Sequence, residues 1–497
     1  MLARGQATGL MKRQDYLKEA GVLMATNLIN GRWVDPSRRH QVYNPADGTV
    51  VGEVGYGDRA CALEAVTAAH ESQSAWGGRP ARERGDLLHA AADLLASRAD
   101  EIGTLLAREA GKRRLEAVGE VLSSVEYFRW FAEEVRRPHG AVYQQEAPHR
   151  RHLSISRPAG VVATLTPWNF PCSIQARKLA PALAAGCTVV ARVSDKAPLA
   201  VTEMFRCLTD AGIPAGVINL VHGPAAEITD AVVTDERVRV VSFTGSTGVG
   251  AQIMKLAAAN ITRPLLELGG DAPFIVFEDA DVDAAVEGAM LAKFRNTGQS
   301  CIGANRFFVH ESVMEEFSTK FAERVSSMTV GDGLAEPTPD LGPCIDENRV
   351  RDLQSLLDEA LSGGARMLNR PVTVPGVGAY FAPVVLTDIP AESTISQEEI
   401  FGPIAAIYPF TDQEDIYALA NDTHMGLAGY VYTQDLSRTW TAAERLEVGV
   451  LGVNEPLPTV SFAPMGGVKQ SGIGREGADI GLEEFQDICY VATTLSA

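Results

Sequence analysis

Basic residues are in deficit in this chain: 44 lysines and arginines stand against 63 aspartates and glutamates, a net charge of −19. Such a surface repels polyanions, and no local basic block reverses it, so nucleic acid and anionic membranes are excluded as partners. Cysteines are few and form no pattern. The seven, at 61, 172, 187, 207, 301, 344 and 489, make neither a CxxC pair nor a periodic framework. An odd, scattered set reads as reduced thiols in a cytoplasmic protein. No Cys/His cluster has ligand spacing, so no metal is expected. No apolar run approaches the roughly 20 residues that span a bilayer. Residues 1–24 carry Arg4, Lys12, Arg13 and Lys18 without a continuous apolar stretch, which argues against a secretory signal, and Asp15 and Glu19 argue against a transit peptide. They read as an N-terminal arm.

What is present is a globular composition, 46% hydrophobic and 22% charged, in a chain of 497 residues. That length exceeds one ordinary domain. From Gly160 onward short β-branched runs alternate with amphipathic stretches: strands at 161–165, 188–193, 217–221 and 238–243, helices at 173–185, 198–211 and 225–234. A second series follows, with strands at 273–277, 305–309, 404–409, 428–432 and 450–453 and helices at 281–295 and 312–327. Such doubling predicts two α/β units built on parallel sheets. A long helical block covers roughly 82–136, and residues 138–157 break its pattern as a projecting hairpin.

Three short stretches carry chemistry. Asn296-Thr-Gly-Gln-Ser-Cys301 offers a nucleophile that attacks only as thiolate. Glu267-Leu-Gly-Gly270, upstream, offers a carboxylate able to activate that thiol or a water that later attacks a thioester. Thr166-Pro-Trp-Asn169-Phe-Pro171 offers a side-chain amide that can donate to a developing oxyanion. Gly245-Ser-Thr-Gly-Val-Gly250 follows a strand and opens a helix. Its spacing is G-x-x-G-x-G rather than the dinucleotide fingerprint, so it reads either as a phosphate-binding helix start or as a tight turn. Cys172, Cys187 and Cys207 are assigned to packing, and His152, His222 and His310 receive no catalytic role.

These stretches, with Phe243-Thr-Gly-Ser246, Glu398-Glu-Ile-Phe-Gly-Pro403 and Pro464-Met-Gly-Gly-Val-Lys-Gln-Ser-Gly-Ile-Gly-Arg-Glu476, resemble the NAD(P)-dependent aldehyde dehydrogenase superfamily from about Asn27 to near the C-terminus. The resemblance implies two Rossmann-like doubly wound α/β domains, one for cofactor and one for catalysis, plus a small β oligomerisation arm. Its expected boundaries are 1–24 for the arm at the N-terminus, 25–137 with 158–266 for dinucleotide binding, 267–470 for catalysis, and 138–157 with 471–497 for the oligomerisation hairpin and tail. In the family the hairpin pairs with the tail of another subunit, so a homodimer or homotetramer is expected. Cys301 would be the nucleophile, Asn169 the oxyanion donor and Glu267 the base for water, with Lys178 and Glu476 linked to proton movement. Acylating relatives that pass the acyl group to coenzyme A often lack a carboxylate at the Glu267 place, so the free acid is the expected product. The cofactor would meet Thr166, Pro167, Trp168, Arg192, Ser194, Asp195, Gly245, Ser246, Leu268 and Gly269, with Glu399 at the nicotinamide ribose and Phe401 beside the nicotinamide.

Two departures and one subgroup trait refine this. Arg192-Val-Ser-Asp195 replaces a family pattern that starts with lysine. An acid there favours a ribose 2′-OH, whereas Arg192 would attract a 2′-phosphate, so NAD is expected, with NADP the alternative. Arg177 and Arg295 flank the catalytic stretches as in the succinate-semialdehyde dehydrogenase-like subgroup, where equivalent arginines hold a distal carboxylate. With Phe170 and Thr459 they would bind a carboxylated semialdehyde; aromatic, sulfonated or phosphonated aldehydes are the alternatives. Gly303 stands where many members carry a second cysteine, so no redox latch is expected. Asp271 has no account at this level.

Overall fold

The computed structural model describes residues 23–137 and 140–495. All but the last two residues of the expected N-terminal arm, and Pro138, His139 and the last two residues of the tail, lie outside them.

Two large sheets organise the molecule. Across the first the strands run Gly472–Ile473, Arg263–Glu267, Val238–Thr244, Val161–Thr166, Thr188–Val193, Ile218–Leu220, Asn27–Ile29 and Arg32–Val34. Its central five are parallel, while the strands at each flank pair antiparallel. Every residue of Val161–Thr166 is buried, as a strand covered on both faces by helices requires. Across the second sheet the order is Arg366–Met367, Val384–Thr387, Ile404–Phe410, Ala304–His310, Ala272–Val276, Ala428–Tyr432 and Val450–Val453, parallel except at its first edge. The mixed α/β architecture anticipated from the strand–helix alternation is therefore present. No helix among the described residues is long and apolar enough to cross a membrane.

The helical block at 82–136 resolves into Ala81–Ser97, Ala99–Ala110 and Arg114–Glu134. Gly111, at φ 74°, ends the second of them with the left-handed residue such a stop favours. The third packs on Pro171–Ala185, a helix that starts with proline and stops at Gly186, φ 93°. All but one residue of Pro171–Ala185 are buried, so its alanines let two helices and the sheet approach closely.

Two findings differ from expectation. Glu267 was read as entering the second unit; its strand instead belongs to the first sheet, while Cys301 sits at the foot of Ala304–His310 in the second. Glu267 and Cys301 thus come from two different sheets. The tail strand Gln486–Thr494 pairs antiparallel with Arg150–Pro158 of its own chain, and Gly140–Tyr143 lies on the other side. Intramolecular pairing satisfies the hairpin edge that was expected to need a second subunit.

Candidate active site

The loop leading to Cys301 is backbone-strained. After the helix Val282–Phe294 the chain turns through Asn296 (φ 53°), Thr297 (φ 57°) and Gly298 (φ 73°). Left-handed geometry is tolerable for asparagine and costly for a β-branched threonine. The surroundings enforce it. Asn296 Nδ2 donates to the carbonyls of Asn169 at 3.0 Å and Gln299 at 2.9 Å. Thr297 Oγ1 donates to Gly342 O at 3.1 Å, and Gln299 Oε1 accepts from Ile345 N at 2.9 Å. A side chain at Gly298 would strike the Gly402 carbonyl, so the loop also abuts the Glu398–Pro403 stretch.

The three sequence-predicted catalytic residues converge. Asn169 Nδ2 reaches Gln299 O at 3.3 Å, two residues before Cys301, and its Oδ1 is buried without a partner. Glu267 ends its strand, and the turn that follows presses Gly270 against the Cys301 carbonyl so closely that no side chain fits. Burial pushes the Cys301 thiol up to about 12, with the Arg177 charge opposing. Burial, then the neighbouring Glu476, raises Glu267 to about 8 against Arg177 and Lys178. Glu267 Oε2 is buried and has no hydrogen-bond partner, as a base awaiting a water or substrate proton would be.

Behind them lies a buried ionic cluster. Lys178 Nζ meets Glu476 Oε1 at 2.5 Å and donates to Ser242 Oγ at 3.1 Å. Arg177 Nε meets Glu476 Oε2 at 3.1 Å, its Nη1 touches Met465 Sδ, and Tyr127 lies within hydrogen-bonding reach. Burial disfavours ionised Glu476, yet Lys178 and Arg177 hold it below its ordinary value. Arg177 is therefore not a free guanidinium: Glu476 occupies its Nε edge. Arg295 stacks over the Phe170 ring at 5.2 Å. Thr459 is half-buried in the coil after Val450–Val453, and no bond ties it to either arginine.

The expected cofactor residues make the following contacts. Trp168 and Phe401 meet edge to face at 5.7 Å, and Lys196 lies 5.6 Å from the Trp168 ring. Burial raises Glu399 to about 8 although Gly270 donates a backbone hydrogen bond to it; its Oε1 is buried and unpartnered, and Oε2 crowds Gly269. Ser246 caps Thr247–Ala257 positionally but spends no hydroxyl bond on the helix, and Gly245 N donates to Glu267 O at 3.0 Å. Leu268 N donates to Ser471 O, and Leu268 packs against Gly250. Thr166 Oγ1 donates to Gln175 at 2.9 Å, which fixes the strand end before Pro167. Arg192 Nη2 donates to Asp195 Oδ2 at 2.8 Å, Tyr56 OH donates to the same oxygen at 3.1 Å, and Asp195 Oδ1 stays buried and unpaired. Ser194 Oγ accepts from Lys196 N at 3.4 Å. Two orphaned carboxylate oxygens, on Asp195 and Glu399, fit the ribose hydroxyls of a dinucleotide.

Several contributors escaped sequence reading. Asp271, previously unexplained, pairs with buried Arg306 at 2.8 Å and accepts from Asn305 Nδ2 at 2.7 Å. Asn305 also bonds the Glu398 carbonyl and the Ile400 amide, so Asp271 braces both sides of Glu399. Tyr56, Tyr127 and Gln299 join the site from distant or unremarkable positions. Only the Asp271 anomaly gave a signal in the sequence.

Residues 33–491 match the model of the aldehyde dehydrogenase family. The chain is 40% identical to the glutarate-semialdehyde dehydrogenase of Pseudomonas putida over 96% of its own length and 100% of that protein. It is also 40% identical to the NADP(+) succinate-semialdehyde dehydrogenase of Escherichia coli, again over 96% and 100%. A solved aldehyde dehydrogenase from Brucella melitensis biovar abortus superposes with a TM-score of 0.93 at 42% identity, covering 97% of this chain and 99% of that one.

Proposed function

Because the chain belongs to the aldehyde dehydrogenase family, it oxidises aldehydes with NAD or NADP, and we propose that its substrate is a semialdehyde with a distal carboxylate, released as the free diacid. One observation carries the substrate reading: behind Cys301 two basic side chains, Arg177 and Lys178, share one buried acid, Glu476, while burial favours the neutral form of Glu267. That excess of basic over acidic partners suits an incoming carboxylate. Arg295, over Phe170, supplies a second fork. The names of the similar semialdehyde dehydrogenases support the same class.

In this reading the Cys301 thiol gives its proton to solvent and Sγ adds as thiolate to the aldehyde carbon. The resulting oxyanion accepts from Asn169 Nδ2 and the Cys301 amide, donors already fixed in place before the charge develops. A dinucleotide held by Asp195 and Glu399 would supply the hydride acceptor, so that collapse of the oxyanion leaves a thioester on Cys301. Glu267 then takes a proton from water as the water attacks the thioester carbon, and Cys301 leaves as thiolate. Lys178 and Glu476 hold the local field and offer the proton a route away from Glu267. Asp195 and Glu399 would accept from the two ribose units. With Arg192 already engaged by Asp195, a 2′-phosphate meets repulsion rather than a free guanidinium, so NAD is the preferred cofactor.

The tail strand and Gly140–Tyr143 form the two open edges of the small sheet, with Val142, Ile488 and Tyr490 exposed. Edges of this kind call for a cover, and a second copy in a homodimer or homotetramer is the reading that supplies one. The reduced cysteines support a cytoplasmic location.

Arg177→Ala and Arg295→Ala, assayed with succinate semialdehyde, glutarate semialdehyde, a sulfonated aldehyde, benzaldehyde and propanal, test the substrate. The anionic aldehydes lose about tenfold or more in kcat/KM while propanal changes little. Equal losses on all five, or none, contradict the proposal.

A further inference from the structure

We infer that the Arg114–Glu134 helix is the template that fixes the separation of oxyanion donor and nucleophile, through Glu116 and Glu120 as positioning residues; the inference rests on the reading of Cys301 and Asn169 given above. The two acids are four residues apart and so lie on one face, about one turn from each other.

Glu120 holds the donor side. The helix Pro171–Ala185 begins immediately after Phe170, whose side chain caps nothing. The free amides of its first turn are satisfied from outside: Glu120 Oε1 accepts from Cys172 N at 2.9 Å and Ser173 N at 3.3 Å. A carboxylate suits that end of a helix on both hydrogen-bonding and dipole grounds. Its burial is offset by Lys112, 2.9 Å from Oε2, and the same ammonium lies 3.9 Å from the Phe170 ring centroid. Residues 172 and 173 are thus held by Glu120 and residue 170 by its partner Lys112, just before the helix, and Asn169 is the next residue back.

Glu116 holds the nucleophile side. Its Oε1 accepts from Asn296 N at 3.2 Å, at the first left-handed residue of the Cys301 loop, and Arg113 anchors the same oxygen at 2.7 Å. Asn296 closes the circuit by donating to the carbonyls of Asn169 and Gln299. Helix, donor segment and nucleophile loop therefore form a ring of contacts with Glu116 and Glu120 as its fixed points. Loss of one link lets Asn169 drift relative to Cys301, and a misplacement near 1 Å costs on the order of 100-fold in rate.

The test is the single-turnover rate of NADH formation by the full-length enzyme with saturating NAD and aldehyde, beside NAD affinity from intrinsic fluorescence quenching. Glu116→Ala slows the single turnover about tenfold or more with NAD affinity within about twofold, and Glu116→Gln, which keeps an acceptor oxygen, recovers most of it. An unchanged rate in Glu116→Ala, a Glu116→Gln no better than alanine, or parallel loss of NAD affinity overturns the inference. Should Glu116→Ala not fold, Asn296→Gly breaks the same ring while keeping the left-handed backbone. A slowed single turnover there supports the inference, and a wild-type rate overturns it. Cys301→Ala run alongside separates the two readings. Activity in Cys301→Ala removes the site assignment itself, whereas an inactive Cys301→Ala beside a normal Glu116→Ala removes only the template.

Discussion

Glu267→Gln, followed by pH, probes the base most sharply. Burial and the Glu476 charge raise the carboxyl from 4.5 to about 8, which corresponds to an upper bound of about 5 kcal/mol favouring the neutral form. At pH 7 the neutral acid then outweighs the carboxylate that can activate water. The ionised form is the active one, so the rate falls as pH drops. Where thioester hydrolysis limits, turnover climbs about tenfold per pH unit up to about 8 and flattens beyond it. Stopped-flow NADH formation resolves the two halves of the reaction. Glu267→Gln keeps the initial burst of one NADH per site, loses about 100-fold or more in the steady phase that follows, and loses the pH slope of that phase. Stability moves with the same group in the opposite sense. Between about 4.5 and 8 the unfolded chain ionises this carboxyl while the native state keeps it neutral, so the wild type loses stability as pH rises through that window and Glu267→Gln does not. Disappearance of the burst in Glu267→Gln would refute the reasoning, because it would make Glu267 the activator of the thiol rather than of water. A steady phase whose pH slope survives the substitution would refute it equally.

Further outcomes follow from particular contacts. Asp271→Ala strips the buried Arg306 of its counter-ion, lowers stability by about 3–5 kcal/mol in denaturant titration, and raises KM for the cofactor because Glu399 loses its brace. Asp195→Ser releases Arg192, so the ratio of NADP to NAD use, measured as kcat/KM, rises about tenfold or more. Gly270→Ala drives a methyl group into the Cys301 carbonyl; it folds but loses kcat with little change in cofactor affinity by fluorescence titration.

Much of the fold was legible because the central strands are continuous apolar runs and the helices between them carry clear stops. The strand anticipated at 188–193 is Thr188–Val193, and the helix anticipated at 281–295 is Val282–Phe294. What periodicity could not reveal is pairing between distant segments. The two-residue strand Gly472–Ile473 joins the first sheet beside Glu267 because its amides find that edge, not because its sequence looks like a strand. The tail strand lies on its own hairpin for the same reason. The local motifs around residues 169, 267 and 301 marked the candidate reacting groups: an amide after Pro167-Trp168, an acid before a Gly-Gly pair, and a cysteine after Gly-Gln-Ser. Their supports were silent. Glu116, Glu120 and Lys112 look like ordinary charged residues around a helix start, and only the structure reveals that the two acids are turned inward onto backbone amides, with Lys112 paired to Glu120. The pairing of Arg177 with Glu476 was likewise hidden, since 299 positions of sequence separate two groups that share one buried cluster.

Intact-protein mass spectrometry of Glu267→Gln, quenched after mixing with NAD and a carboxylated semialdehyde and followed by peptide mapping, tests most directly whether the three stretches meet around one carbonyl. The account predicts one acyl group per chain, held on the peptide containing Cys301, and its absence when NAD is omitted. An unmodified chain during turnover, or an acyl group on any of the other six cysteines, would contradict it.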